Sequence, residues 1–294
     1  LFQKFKDFNM RWTNNRSGNV DDRRGSGGGG GLMVGGGLGS LIIAAIIFFL
    51  GGDPSAILSS GMGEAGPQTE QRELTAEENK LGEFVQMITA ENERTWTKIF
   101  NENGMQYEPA RVVMFTNATQ SGCGAAQSAM GPFYCPADQT IYMDMAFFNE
   151  LQQRFGAEVN EFSIAYVMAH EMGHHVQTLL GTTQKVDQLR RSGRYSEADM
   201  NRVSVATELQ ADFYAGVWAR QTDNRENILE PGDLEAAISA AEAVGDDNIQ
   251  KRSQGYVNQE AFTHGSSAQR KEWFMKGYNT GDIRAGDTFD ALLK

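Results

Sequence analysis

The segment AHEMGHHVQ, Ala169–Gln177, gathers three of the chain's four histidines around one glutamate. His170 and His174 stand four residues apart, so on a helix both imidazoles project from one face, one turn above the other. That spacing lets both reach a single metal ion. Glu171 lies about 100° further round the helix than His170. It would sit beside such an ion rather than on it, where a carboxylate can take a proton from a metal-bound water. This is the H-E-x-x-H arrangement. His175 points away from His174 and is not expected to be a ligand. The plainer alternative is a helix with polar groups on its wet face. Against that, Phe162, Ala165, Tyr166, Ala169, Met172, Gly173, Val176 and Leu179 form one apolar stripe over Glu161 to Leu180, which predicts a buried helix. Ala169 and Gly173 are small enough to let a neighbour pack closely.

A catalytic zinc takes three protein ligands and keeps a fourth position open. The third candidate comes from TELQADFYAG, Thr207–Gly216. Glu208 and Asp212 are again four apart. If Glu208 binds the ion, Asp212 lies one turn along the same face, where it can accept a hydrogen bond from the far nitrogen of a ligating histidine and fix its tautomer. Alone, the pair would read as a solvated acidic stripe. Beside H-E-x-x-H it reads as part of a site for one Zn2+ per chain, held by His170, His174 and Glu208.

Several elements must position these residues. Thr75 and Glu78 make a capping-box pattern, and Leu81, Phe84, Val85, Ile88, Trp96 and Ile99 follow at helical spacing, so a first helix is expected to about Glu102. Short β-type runs follow at Ala110 to Thr116, Phe133 to Cys135 and Thr140 to Met145, separated by Gly and Pro. From there the chain reads as helical: Ala146 to Phe155, Glu161 to Leu180, Ser196 to Gln221, Asp233 to Val244 and Ser266 to Tyr278. Gly181 ends the second of these as a C-cap glycine would. A helix, a small sheet and then several helices make an α+β domain, mostly helical.

The formal net charge is −12 over 294 residues, which excludes nucleic acid as a main partner, since phosphate binding needs a basic face. The charge is uneven. Residues 1–50 hold Lys4, Lys6, Arg11, Arg16, Arg23 and Arg24 against Asp7, Asp21 and Asp22. Leu1 to Asn9 precede Met10, a plausible initiator, and are given no structural weight. No charged residue falls between Gly25 and Gly52, and Leu32 to Leu50 is mostly apolar. At helical rise these residues span about 28 Å, close to a bilayer core. A buried soluble helix and a cleaved signal peptide are the alternatives, and a retained transmembrane anchor is the favoured reading. With the basic residues before it, the positive-inside rule puts the N-terminus in the cytoplasm and the rest outside. The expected division is therefore a tail over 1–31, a transmembrane helix over 32–51, a linker over 52–74 and a zinc domain over 75–294. Cys123 and Cys135 both follow the apolar stretch. A disulfide between them suits an oxidising compartment and is favoured over two free thiols, while no CxxC pair or nearby histidine supports a second zinc site.

The motifs MRWTNNRSGNVDDRR, SGCGAAQSAMGPFYCPADQTIYMD, HEMGHHVQ, ELQADFYAG, FTHGSSAQR and RKEWFMKGY together resemble the bacterial neutral zinc metallopeptidases, over nearly the whole chain after residue 9. The E-x-x-x-D placement is similar to the gluzincin branch of zinc proteases. The resemblance implies a zincin-like domain, with the two motif helices packed against a small sheet and a peptide or protein substrate along an edge strand. Carried over residue by residue, it implies His170, His174 and Glu208 as zinc ligands, Glu171 as general base and Asp212 as the group orienting a ligand. Amide hydrolysis also needs a donor for the developing oxyanion. His264, the only histidine outside the motif, precedes the capping box Ser266–Gln269 and is the candidate. A surface or capping histidine is the alternative, and Arg270 and Tyr278 are weaker candidates for the same task. The expected function is membrane-anchored, zinc-dependent peptide hydrolysis. The rivals are a zinc-stabilised, catalytically silent interaction domain tethered to a membrane, and a metal-free helical scaffold.

Overall fold

Thr75 opens the first helix as its sequence predicts. In the computed structural model, which describes residues 10–25, 73–116, 118–127, 131–148, 152–153, 157 and 160–293, helix α1 runs Ala76–Glu102. The Thr75 hydroxyl accepts from the Glu78 amide, and the Glu78 carboxylate accepts from the Thr75 amide, which satisfies two donors of the first turn. Leu81, Phe84, Val85, Ile88, Trp96 and Ile99 are all buried, so the apolar face read from the spacing is the core face.

The sheet has four strands in the order β1-β2-β6-β5. Strand β1 is Val20–Asp22, β2 is Arg111–Phe115, β5 is Phe133–Cys135 and β6 is Thr140–Asp144. β1 and β6 flank β2 in parallel, and β5 pairs antiparallel with β6 as an edge. Between β2 and β5 a hairpin, β3 (Ala118–Ser121) and β4 (Gly124–Gln127), stands apart from that sheet. The Cys123–Cys135 disulfide fastens this hairpin to β5, as the cysteine reading expects.

Helices follow to the end: α2 Glu161–Leu179, α3 Thr182–Ser192, α4 Glu197–Glu226, α5 Asp233–Ala243, α6 Asp246–Gln254, α7 Ser267–Thr280 and α8 Thr288–Leu292. The α+β reading holds. The central element is α4, buried over much of its circumference because α1, α2, α7 and α8 all pack against it. A helix so surrounded carries small and apolar residues on several faces rather than in one stripe. Its crossing with α7 is close. A Cβ on Gly216 would collide with the Phe274 carbonyl oxygen, and one on Gly277 with that of Phe213. Only glycine on each helix permits that approach.

One expectation about organisation changes. The tail and the domain are not separate, because Met10–Gly25 belongs to the fold. Met10 lies in the core, and β1 extends the sheet. The strand was not predicted because VDD shows no apolar alternation. The expected anchor, Leu32 to Leu50, and the linker to residue 72 lie outside the described residues, as do Leu1 to Asn9 and part of the helix expected over Ala146 to Phe155. Among the described residues no helix is long and apolar enough to cross a membrane. Helices α3 and α6 also escaped the sequence. Each buries a single side chain, Val186 or Asp246, and so shows no apolar period.

Candidate metal centre

Helices α2 and α4 meet where Gly173 faces Ala211. A Cβ on Gly173 would sit 2.9 Å from the Ala211 carbonyl oxygen, so the backbones touch there. That contact lies between His170 and His174 on one helix and one turn beyond Glu208 on the other. It therefore brings the three expected ligands together. His170 Nε2 lies 3.2 Å from one Glu208 oxygen, and His174 Nε2 lies 3.5 Å from the other. All three side chains are buried, and their ligand atoms form one cluster able to hold a metal ion. Zinc bonds of about 2.0–2.1 Å in a tetrahedron set neighbouring ligand atoms roughly 3.3 Å apart. The two observed separations, which end on different Glu208 oxygens, lie near that edge, and the His, His, Glu donor set is one a catalytic zinc uses.

Both imidazoles are fixed from behind. His170 Nδ1 is 2.8 Å from Asp212 Oδ1, and His174 Nδ1 is 2.9 Å from Gln177 Oε1. With each Nδ1–H donating to an oxygen, each Nε2 is directed toward Glu208 and would offer its lone pair once a metal displaces any proton there. Asp212 is fully buried and holds more than His170. It also accepts from the Tyr166 hydroxyl at 2.6 Å and from Arg270 Nε and Nη2 at 2.8 and 3.0 Å. Gln177 in turn donates to the Thr207 carbonyl and to Gln210 Oε1, and Gln210 donates to the Gly286 carbonyl. A chain of amides thus ties the second histidine to α4 and the C-terminal segment.

The electrostatics follow from this crowding. Burial pushes the His170 imidazolium toward deprotonation, but Asp212 and Glu208 outweigh it and raise its pKa to about 10. The metal-free pair therefore stores a proton that a metal must displace. Burial lowers the pKa of His174, against the pull of Glu208. Glu208 stays well below the usual carboxylate range, because the three histidines His174, His170 and His264 overcome its burial. Asp212 is likewise held at about 2 against burial, by Arg270 and His170.

Glu171 sits beside the cluster with a different balance. Burial raises its pKa to about 8, with Glu208 adding to the rise and His170 opposing it. A backbone hydrogen bond from Tyr134 on the edge strand β5 also steadies it, while its buried Oε2 has no hydrogen-bond partner. A carboxylate with one oxygen anchored and the other bare is poised to exchange a proton.

His264 lies on the loop before α7. Asp246 at the start of α6 organises that loop: one carboxylate oxygen accepts from the amides of Thr263, His264 and Gly265, at 2.7, 2.6 and 3.0 Å. Its other oxygen is 3.2 Å from His264 Nδ1. Burial works against the His264 imidazolium, but Asp246 raises its pKa, with Glu208 adding to the effect. Glu208 and His264 thus each favour the charged form of the other.

The other candidates fall elsewhere. Arg270 Nη2 lies 3.4 Å from His170 Nδ1, on the side away from Glu208, so it supports Asp212 and does not face the open side of the cluster. Tyr278 has the Arg220 guanidinium stacked 5.0 Å over its ring. His175 bonds to the Tyr134 hydroxyl and the Glu108 carbonyl, in keeping with its exclusion as a ligand. Sequence reasoning did not find Gln177, Gln210, Tyr166, Asp246 or Tyr134. Gln177, three residues from His174, and Tyr166, four from His170, carried the signal of helical spacing.

Two helices thus present two histidines and a glutamate able to hold a metal ion, with a second glutamate alongside. Residues 10–289 match the family described as Putative neutral zinc metallopeptidase, and the chain belongs to that family. It is 45% identical over 222 residues to the uncharacterized protein YpfJ of Escherichia coli, covering 76% of each chain. It is also 45% identical over 194 residues to uncharacterized proteins Mb2605 of Mycobacterium bovis and Rv2575 of Mycobacterium tuberculosis, covering 63% of this chain and 64% of each relative. No solved structure matches.

Proposed function

We propose that the protein is a zinc-dependent peptidase of the zincin kind, with His170, His174 and Glu208 as ligands and Glu171 as general base. One observation carries this reading. His170, His174 and Glu208 form one buried cluster able to hold a metal ion, with Glu171 buried beside them and one of its oxygens bare. Zinc bound there would supply an acidified water and polarise the scissile carbonyl.

The chain's own groups do the rest. Asp212 and Gln177 hold the imidazoles in the tautomer that exposes Nε2. Glu171 Oε2 takes the proton of the attacking water and delivers it to the leaving amine nitrogen. His264, held by Asp246 with its Nδ1–H engaged and its imidazolium favoured by that carboxylate, offers Nε2–H to the developing oxyanion. The peptide would lie along β5, the last strand of the sheet, whose Tyr134 backbone bonds Glu171. The silent, zinc-stabilised alternative predicts a closed site of four protein ligands. Among the described residues the cluster has three, and nothing favours that alternative.

Glu171→Gln tests the proposal. It should keep its zinc and lose roughly 100- to 10,000-fold in peptide hydrolysis, the usual contribution of a general base. Zinc content is read by elemental analysis and hydrolysis on an unstructured protein substrate. A variant that cleaves at the wild-type rate would remove Glu171 from the mechanism.

A further inference from the structure

The charge-free apolar stretch Leu32 to Leu50 divides the chain into two flanks, and the two flanks are built into one fold. On the N-terminal side, β1 pairs in parallel with β2 through Val20↔Val112, Asp21↔Val113 and Asp22↔Met114. The ladder continues at both ends, with the Val112 amide donating to the Asn19 carbonyl and the Arg23 amide to that of Met114. Before the strand, the segment binds three further elements. The Ser17 amide donates to the Gln86 carbonyl on α1, and the Arg11 amide to the Ile228 carbonyl after α4. Trp12 Nε1 donates to Glu161 at 2.8 Å, at the start of the metal-site helix. Thr13 and Asn15 both donate to the fully buried Glu91, at 2.6 and 2.7 Å. Met10 and Arg24 are buried at the two ends of the segment. Arg24 fits because α1 carries a glycine opposite it, for a Cβ on Gly82 would lie 2.6 Å from the Arg24 guanidinium.

These contacts bear on topology. A chain that crosses a bilayer once leaves its two flanks separated by a hydrocarbon core of about 30 Å. No strand pairing survives that separation. The basic residues that set the expected orientation also have other roles. Arg11 pairs with Glu230, Arg23 with Asp21 and Arg24 with Asp22, while Arg16 donates to the Thr13 and Asn15 carbonyls. They serve the fold, so they are a poor guide to which side is cytoplasmic.

We propose that Met10–Gly25 and residues 73–293 lie on the same side of any membrane the chain meets, so that the apolar stretch between them does not carry the chain across. This reverses the orientation expected from charge, in which the N-terminus and the zinc domain occupy opposite compartments. The inference does not depend on the peptidase reading.

The test uses the full chain expressed in a Gram-negative bacterium, with single added cysteines at two exposed positions, Asn14→Cys and Ser253→Cys. Spheroplasts are treated with a membrane-impermeant maleimide, before and after permeabilisation, and labelling is read by mass shift. The expected result is that both positions behave alike, either labelled in intact spheroplasts or protected until permeabilisation. Labelling of one position in intact cells and of the other only after permeabilisation would overturn the proposal. It would mean that β1 is not docked in the cellular protein.

Discussion

Asp212→Asn separates what the site needs for its metal from what the fold needs for its core. One carboxylate accepts four hydrogen bonds, from Tyr166, from His170 and twice from Arg270. An amide offers a single oxygen. If that oxygen takes the Oδ1 position, the amide NH2 opposes Arg270 Nε–H; turned the other way, it opposes three donors. In either case Arg270, which is buried, loses the anion that offsets its charge. Breaking a buried pair by removing one partner costs about 3–5 kcal/mol, a large share of the roughly 5–15 kcal/mol by which a domain is stable. His170 loses the anion that orients it and raises its basicity, which should weaken zinc binding about 10- to 100-fold. Urea unfolding of the metal-free chain measures the first effect, and competition with a chromophoric chelator measures the second. Adding Arg270→Met removes the orphaned cation, so the double variant should be more stable than Asp212→Asn alone. Its zinc affinity should stay low. If Asp212→Asn binds zinc within about twofold of wild type, or if the double variant regains full affinity, Asp212 does not orient the ligand and the reasoning fails.

Three other perturbations test neighbouring links. Gly173→Ala puts a methyl 2.9 Å from the Ala211 carbonyl oxygen; it should cost about 1–3 kcal/mol as overpacking and part the ligand helices. Unchanged zinc affinity in that variant would show that the α2–α4 contact does not set the site. Cys123→Ser opens a loop whose ends are 12 residues apart and should lower stability by about 3 kcal/mol. Wild type in reductant should match it in urea unfolding, and a reductant-insensitive wild type with full variant stability would contradict the estimate. Burial raises the Glu161 pKa from 4.5 to about 7 in the folded chain, with Trp12 opposing. Between those values the folded state binds more protons than the unfolded one, so this group's contribution is full below pH 4.5 and is lost as pH rises through 7. Glu161→Gln keeps an acceptor for Trp12 and should flatten the stability–pH curve in that window; an unaltered slope would count against the shift.

The parts of the site that the sequence revealed are those tied by helical arithmetic. His170 with His174 and Glu208 with Asp212 are both pairs four apart, and a helix places such pairs on one face whatever surrounds it. The same arithmetic reaches Gln177 from His174, but an uncharged amide drew no attention beside titratable groups. Nothing local points to Arg270 as the partner of Asp212, 58 residues away, or to Asp246 as the organiser of the His264 loop. Both pairings arise only from how α7 packs on α4 and α6 on α7. The N-terminal strand was hidden for another reason. The apolar stretch after it invited a reading of everything upstream as a tail, while the partners that make VDD a strand lie about ninety residues further on, in β2.

The metal-site helix shows why a local motif still needs the whole chain. Its start is fixed by the Asn160 cap, by Asn160 to Asp233 and by Trp12 to Glu161. Its middle is fixed by His170 through Asp212 to Arg270. Its end is fixed by Gln177 to Thr207 and Gln210. A zinc site tolerates only a few tenths of an ångström in ligand placement, and two histidines on one helix meet that tolerance only if the helix cannot slide along α4. Holding it at three points, with partners drawn from Met10–Gly25, α4, the α4–α5 region and α7, prevents sliding. The N-terminal segment is therefore part of the positioning apparatus. Without it, Glu161 would be a carboxylate with no indole donor at the head of the helix that carries His170 and His174. A fragment starting after the apolar stretch should therefore hold the His170, His174 and Glu208 cluster more loosely, and its zinc affinity should fall below that of the full chain.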